Sequence, residues 1–195
     1  MQRPIELALA ALALIVTSPI TAVSAALIYF QDRGPVIHRR RVVGVGGREF
    51  NAFKLRTMRL DADGWLATQP ELLKRFHAHH KLEQDPRVTP IGRTLRRFSI
   101  DELPQLVNVL RGEMSLVGPR MFHPSELAQY GDAAQEILSV PPGITGLWQV
   151  SGRQELDRAA RVKLDLKYVR ERSLKLDLLI LLKTIPAAVQ GRGAF

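Results

Sequence analysis

Two adjacent carboxylates, Asp101 and Glu102, are the side chains of this chain best suited by type and place to do chemistry. They stand ahead of a helical pattern in which apolar residues recur at positions 103, 106, 107 and 110. If Asp101 is the N-cap of that helix, Pro104 falls in the first turn, where its missing N–H costs little. At such a helix start the Asp101 carboxylate either caps the backbone or faces a ligand. The spacing alone leaves a structural cap and a catalytic acid as alternatives.

The stretch that begins with these acids resembles the central signature of a known enzyme family. From position 101 it reads Asp-Glu-Leu-Pro-Gln-Leu-Val-Asn-Val-Leu-Arg-Gly-Glu-Met-Ser-Leu-Val-Gly-Pro-Arg and ends at Arg120. It is similar to the bacterial sugar transferases, the monotopic phosphoglycosyl transferases that place a sugar phosphate on a polyprenyl phosphate. The resemblance implies that Asp101 is the nucleophile, that Mg²⁺ is the cofactor, and that Asp101 and Glu102 form the metal site. Glu102 would hold the metal or assist removal of a proton from the lipid phosphate.

The reaction that this resemblance implies passes through a covalent aspartyl-phosphosugar intermediate. Asp101 would attack the β-phosphate of a UDP-sugar and displace UMP, and polyprenyl phosphate, of the undecaprenyl type, would then take the phosphosugar. A second signature, Gly-Leu-Trp-Gln-Val-Ser-Gly-Arg, ends at Arg153 and looks more like hexose-1-phosphate transferases, galactose types especially. The implied role is the first membrane step of polysaccharide or glycoconjugate synthesis.

Five cations in stretches similar to family motifs are predicted to bind substrate phosphates. Positions 54–58 read Lys-Leu-Arg-Thr-Met, and two cations two residues apart on a strand share one face. Without the resemblance, a solvated strand face is the alternative for these two. Two prolines hold an extended loop that we expect to lead Arg87 toward the acids. A guanidinium can fork onto a diphosphate. The predicted set is Lys54, Arg56, Arg87, Arg120 and Arg153.

The segment from Leu7 to Gln31 carries no charge and is long enough to be a membrane candidate. From the residues alone, three interpretations stay open: a cleaved signal peptide, a single spanning helix, and a helix that enters the membrane, breaks and returns. The pair Ser18-Pro19 near the middle favours a break, which leaves only ~19 Å for each arm against ~30 Å of hydrocarbon. The resembled family has a re-entrant helix broken at a Ser-Pro pair. We therefore expect a re-entrant helix with its break at Ser18 and Pro19.

The composition of the chain restricts its partners. A formal net charge of +9 over 195 residues indicates an anionic partner, whether a membrane surface, nucleic acid or phosphorylated substrates. Without cysteine there is no disulfide framework and no thiolate nucleophile. With the resemblance, the expected partners are a UDP-sugar, polyprenyl phosphate and anionic membrane lipids, and no nucleic acid, and a homo-oligomer stays open. Arginines at 33 and 39–41 should hold a monotopic protein on the cytoplasmic face of the inner (cytoplasmic) membrane.

The expected fold is mixed α/β and mainly α. A re-entrant membrane helix over residues 1–32 should precede a cytosolic phosphoglycosyl transferase domain over residues 33–195. Glycines at 44–47 predict a small β-hairpin, and residues 157–183 predict a helix with one leucine-rich face, suited to the membrane interface. Two other classes remain as alternatives: a basic nucleic-acid-binding module, and a secreted or membrane-tethered protein that is not an enzyme. Membrane retention through a high-salt wash and amino-terminal sequencing would separate them.

Overall fold

In a computed structural model, which describes residues 2–79, 82, 84–152 and 156–190, helices surround two short pairs of strands. The helices are α1 Arg3–Asp32, α2 Ala62–Ala67, α3 Pro70–His79, α4 Pro90–Arg97, α5 Gln105–Leu110, α6 Ala133–Ile137, α7 Arg158–Glu171 and α8 Leu174–Gln190. Strands β1 (Ile37–Val43) and β2 (Glu49–Leu55) form an antiparallel hairpin, whereas β3 (Ser115–Val117) and β4 (Gly143–Thr145) pair in parallel. The predicted mixed, mainly helical class with a small β-hairpin is confirmed.

Helix α1 continues without interruption through the Ser18-Pro19 pair, so the predicted break is not a gap in the helix. Proline has no N–H to donate to the carbonyl four residues earlier, which here belongs to Ile15. The Ser18 hydroxyl donates to that carbonyl instead, at 2.8 Å. The pair therefore interrupts the backbone bonding while a side chain satisfies the freed acceptor. Re-entrant topology stays a prediction.

Both ends of α1 are tied to the same globular domain. Near the first turn, the buried Glu6 carboxylate accepts a hydrogen bond from the Leu116 N–H at 2.7 Å, and the Arg3 guanidinium donates to the Met114 carbonyl at 3.2 Å. At the last turn, Asp32 accepts two hydrogen bonds from the Arg56 guanidinium, one of them 2.7 Å long. Charged contacts thus fix the start and the end of one apolar helix on one body.

A side chain of α5, that of Asn108, forms hydrogen bonds with the free edge of strand β2 and so fixes the hairpin in place. The Asn108 amide accepts from the Phe53 N–H at 3.0 Å and donates to the Asn51 carbonyl at 2.8 Å, which copies the bonding of a neighbouring strand. Asn108 is completely buried as a result. The predicted apolar stripe on this helix is correspondingly incomplete, since Leu110 is exposed and a buried Gln105 takes part of the inner face.

The parallel pair β3–β4 brings two loops into backbone contact. A Cβ on Gly143 would lie 2.1 Å from the backbone nitrogen of Gly118, so neither loop can approach this closely with a side chain in between. Gly118 N–H donates to the Thr145 carbonyl at 2.9 Å, and Gly143 N–H donates to the Pro119 carbonyl at 2.9 Å. This contact fixes the loop that carries Arg120.

The predicted single helix over residues 157–183 is wrong in one respect, because two helices occupy this range. The chain is extended at Arg172 (φ −50°, ψ 129°), and the Ser173 hydroxyl accepts from the Leu176 N–H at 3.3 Å to start α8. A serine can compete for backbone hydrogen bonds in this way, which the leucine pattern conceals. Helix α8 exposes an apolar face made of Leu174, Leu178, Leu179, Leu182 and Ile185. Its placement in a membrane interface stays a prediction.

Candidate functional site

The two acids lie on a tight turn between α4 and α5. Residues Ile100–Glu102 form one 3₁₀ turn, which Ser99 precedes in the left-handed region at φ 56°. Pro104 stands immediately before α5, so of the two alternatives for Asp101 the helix cap is not the one observed. The missing proline N–H is accommodated by a short turn rather than by a longer helix. Asp101 is only 7% exposed, and its carboxylate is therefore withdrawn from solvent without serving as a helix cap.

The hairpin contributes a cation to this turn. Lys54, near the end of β2, places its Nζ 2.5 Å from Glu102 Oε1. The contact joins the Lys-Leu-Arg-Thr-Met stretch to the Asp-Glu pair across nearly fifty positions of sequence. An ammonium beside two carboxylates offsets part of their mutual repulsion and presents donors to an incoming anion. The structure thus brings Lys54, Asp101 and Glu102 together, as the predicted site requires.

Arg96 is a second cation beside the acids, and it was not among the phosphate ligands predicted from the sequence. Its Nε donates to the Thr57 hydroxyl at 2.9 Å. Helix α4 can lie close to the Thr57 backbone because Gly92 has no side chain. A Cβ at this position would lie 2.0 Å from the Thr57 carbonyl oxygen. The signal in the sequence was a glycine one turn before an arginine, on a helix whose Leu95 is also buried.

The environment of Asp101 disfavours its charge. Burial raises the pKa of this carboxyl to about 6, against the lowering influence of Lys54, while the Glu102 charge raises it further and Arg96 lowers it. Burial also lowers the pKa of Arg96, with the charge of Asp101 acting in the opposite direction. A desolvated carboxylate with cations on two sides is a better nucleophile than a solvated one and remains ionised at neutral pH.

Two of the predicted phosphate ligands are engaged elsewhere. Arg56 donates to Asp32 and, at 2.6 Å, to the Pro35 carbonyl, so it holds the end of α1 instead of sharing a face with Lys54. The buried Arg87 forms hydrogen bonds to Asp85 at 2.7 Å and Asp63 at 3.0 Å, and its guanidinium stacks on Phe76. Phosphate binding by either arginine stays a prediction that would require these contacts to open.

Arg120, another predicted ligand, lies in the loop after β3. Arg120 Nη2 is 3.7 Å from Glu126 Oε1, and the Arg120 N–H donates at 3.3 Å to Asp165. Burial raises the pKa of that Asp165 carboxyl to about 7, and sequence reasoning missed this residue because it lies within a basic helical pattern. Trp148 is buried, and the Arg161 guanidinium stacks on its indole ring at 5.2 Å. One face of this ring is therefore already covered. Arg153 lies outside the described residues.

A magnesium site here would depend on two carboxylates. Among the residues that the structure describes, no three acidic or histidine side chains are grouped closely enough to hold a metal. Mg²⁺ is commonly bound by one or two carboxylates together with substrate phosphates, which matches the oxygen donors of Asp101 and Glu102. These residues therefore fit a cation that the diphosphate of a substrate also binds.

Comparisons with known proteins identify the family to which nearly the whole chain is similar. A family model described as bacterial sugar transferase matches residues 1–191. The chain is 42% identical over its full length to the exopolysaccharide production protein ExoY of Sinorhizobium fredii, of which it covers 88%. It is 38% identical to an undecaprenyl-phosphate galactose phosphotransferase of Salmonella typhimurium and 42% identical to an undecaprenyl-phosphate glucose phosphotransferase of Komagataeibacter xylinus. It covers 42% and 37% of those two longer proteins.

Proposed function

Because this chain belongs to the bacterial sugar transferase family, we propose that it transfers a hexose 1-phosphate from a UDP-sugar to undecaprenyl phosphate. The names of the relatives support both halves of this reaction, since they specify undecaprenyl phosphate as acceptor and galactose or glucose as sugar. Galactose is the first donor to test, because the Gly-Leu-Trp-Gln-Val-Ser-Gly-Arg wording resembles the galactose types. Family membership sets aside a nucleic-acid-binding module and a protein without enzymatic activity.

The observation that carries the mechanism is the buried Asp101 beside Glu102 and Lys54. In the first step, an Asp101 carboxylate oxygen forms a bond to the β-phosphorus of the UDP-sugar. The bond from that phosphorus to the bridging oxygen breaks, and UMP leaves with the electron pair. A carboxylate is a weak nucleophile, so the site must reduce its repulsion from the diphosphate. Lys54 and Arg96 supply positive charge next to the acids for this purpose.

In the second step, a phosphate oxygen of undecaprenyl phosphate attacks the same phosphorus. The bond to Asp101 breaks, the carboxylate is regenerated, and the product is undecaprenyl-diphospho-hexose. Glu102 is held by Lys54 on the exposed side of the turn, where its carboxylate can orient the incoming phosphate group through that ammonium or take its proton. A bound Mg²⁺, held by Asp101 and Glu102, would neutralise charge on the diphosphate.

The contacts of both ends of α1 with one domain support a monotopic placement, in which both ends lie on the same side of the membrane. A spanning helix would separate its ends by ~30 Å of hydrocarbon, yet Glu6 and Asp32 both bind this one domain. Helix α1 is long and apolar enough to cross a membrane by length and composition, so the contacts at its two ends are what favour insertion from one side. Apolar side chains repeat at intervals of three or four along its exposed face: Ile5, Leu9, Leu12, Val16, Ile20, Val23, Leu27 and Phe30. We therefore propose that α1 inserts from one side and leaves both ends in the cytoplasm.

The covalent step is tested by incubating the purified protein with UDP-galactose and Mg²⁺ before any lipid is added. We expect UMP release and a mass increase of one phosphohexose that maps to Asp101. Asp101→Asn should abolish the adduct and the turnover, whereas Asp132→Asn, on an exposed side chain far along the sequence, should retain both. An adduct on another residue, or an active Asp101→Asn enzyme, would overturn the assignment.

The topology is tested with single cysteines, for which the cysteine-free chain is a ready background. Cysteines at positions 2 and 60 should both react with an impermeant reagent only from the cytoplasmic side. Labelling of position 2 from the outside would show that α1 spans the membrane and that the monotopic placement is wrong.

A further inference from the structure

Arg40 is a cation on the side of the hairpin that faces the proposed catalytic acids. It lies in none of the stretches that resemble family motifs. In the hairpin, His38 is opposite Lys54, and Arg40 is opposite Ala52. Side chains alternate between the two faces of a strand, so Arg40 projects from the face of Lys54, about 7 Å further along. Because Lys54 contacts Glu102 from this face, Arg40 projects toward the side of the hairpin on which the turn with Asp101 and Glu102 lies.

A second guanidinium approaches the same place. The Val43 N–H donates to the Phe122 carbonyl at 2.9 Å, which pairs the end of β1 with the segment just after Arg120. The charge of Arg120 is, after burial, the main reason that the pKa of Arg40 is lowered. Two arginines are thus held within electrostatic range of each other beside the acids.

The carboxylates near Arg40 are already paired with other cations. Glu126 and Glu102 are the acids whose charges act on Arg40. Arg120 is the ion-pair partner of the first, and Lys54 is that of the second. Among the described residues, the Arg40 side chain makes no hydrogen bond or ion pair, although it is half-buried. A guanidinium in that position loses hydration without gaining a hydrogen bond in return unless an anion binds it.

We infer that Arg40 is a further phosphate-binding residue of the donor site, where it and Arg120 contact the phosphate that leaves as UMP. The inference rests on the proposed function for the identity of the donor. In that reaction one bridging oxygen joins the phosphorus attacked by Asp101 to the phosphate of UMP. Negative charge collects on this phosphate as the bond breaks. Cations beyond Lys54 on the same face are suited to stabilise that charge. The acceptor also carries a phosphate, so a test must separate the two substrates.

The test compares Arg40→Gln and Arg40→Lys with Arg39→Gln in the full-length protein in detergent. Arg39 is the adjacent residue of the same strand, but it is exposed on the opposite face. We would measure UMP affinity by calorimetry and the rate of adduct formation from UDP-galactose without lipid. Arg40→Gln should weaken UMP binding and slow the adduct by about ten- to hundredfold, as loss of a charge-assisted hydrogen bond does. Arg40→Lys should lie in between, because it keeps the charge without the fork, and Arg39→Gln should stay within about twofold.

Three results separate the inference from its alternatives. Normal UMP binding and adduct formation in Arg40→Gln would overturn it, and slowed transfer to undecaprenyl phosphate would then assign the arginine to the acceptor. Weakened UMP binding together with a lower melting temperature would indicate a structural role and would also overturn it, because removing an unpaired guanidinium should not destabilise the fold. If the wild-type protein forms no adduct while Arg40→Gln still loses UMP affinity, the covalent step is wrong and the inference about Arg40 is supported.

Discussion

Replacing the proposed nucleophile should stabilise this protein while it abolishes activity. The pKa of Asp101 is raised from 3.8 to about 6, chiefly by burial, so the folded state binds this proton more tightly than the unfolded chain does. For a carboxyl with a raised pKa, folding stability is lost as pH rises through the range from about 4 to about 6. A change of this size in the pKa corresponds to about 3 kcal/mol above pH 6. Asn cannot ionise and therefore avoids this cost.

We expect Asp101→Asn to match the wild type near pH 4 and to exceed it by up to about 3 kcal/mol at pH 8. For a chain of this length, that difference amounts to roughly 6–12 °C in melting temperature. Thermal unfolding would be followed in detergent between pH 4.5 and pH 8. EDTA should be present, because a cation bound at Asp101 would stabilise the wild type and hide the effect.

The exposed Asp132→Asn serves as the matched control and should leave the melting temperature unchanged at every pH. A stability gain in Asp101→Asn that does not vary with pH would have a cause other than the buried charge. An Asp101→Asn protein that is no more stable than the wild type at pH 8 would refute the reasoning. It would mean that the positive charges of Lys54 and Arg96 fully offset the free-energy cost of burying the ionised Asp101 carboxylate. Burial would then not make this carboxylate more reactive toward phosphorus.

Five further outcomes follow from the structure. Adduct formation by the wild type should decline on acidification, because a protonated Asp101 is not nucleophilic, and a bound Mg²⁺ should place that decline below the value of about 6 to which burial raises the pKa; a rate independent of pH would contradict this. EDTA should abolish turnover and Mg²⁺ restore it, whereas a fully active metal-free enzyme would exclude the proposed cofactor. Gln105→Leu should raise the melting temperature, because the buried Gln105 amide has no hydrogen-bond partner among the described residues. Asn108→Ala should lower the free energy of unfolding by about 3 kcal/mol, because it leaves the edge of β2 without hydrogen-bond partners. Gly92→Ala should cost about 1–3 kcal/mol or more, since its Cβ would overlap the Thr57 carbonyl, and unchanged unfolding would show that α4 can shift away.

The elements that could be predicted are those that local chemistry decides. The charge-free run from Leu7 to Gln31 is long enough to require a helix, and α1 covers all of it. The hairpin followed from glycines that allow backbone conformations closed to other residues, and Gly46 and Gly47 do adopt positive φ. The Asp-Glu pair could be singled out through the resemblance of residues 101–120 to a family signature, because its spacing alone also fitted a helix cap. Each of these inferences needed only one continuous stretch of the sequence.

Helix α5 shows where local pattern fails. Its leucines and valines predicted an apolar inner stripe, yet the fully buried positions include Gln105 and Asn108. Asn108 is buried because a strand distant in sequence offers it an unpaired N–H and an unpaired carbonyl. Nothing within the helix indicates that a strand edge will lie there. Helical periodicity assumes that the inner face meets apolar neighbours, and it cannot register a polar partner that arrives from elsewhere in the chain.

The arginines show the same limit at the site itself. Arg56 and Arg87 occupy stretches that resemble family motifs, but acids already bind both guanidiniums. The fold brings Asp32 to Arg56, whereas Arg87 binds its sequence neighbour Asp85 and the more distant Asp63. Arg40 occupies no such stretch, yet it is a half-buried cation near the acids, and the described residues provide no ion-pair carboxylate for it. Among many cations, those suited to bind phosphate are the ones that the protein does not already pair with a carboxylate. That property depends on tertiary pairing, so the cation that a motif marks and the cation that is free to bind a ligand can be different residues.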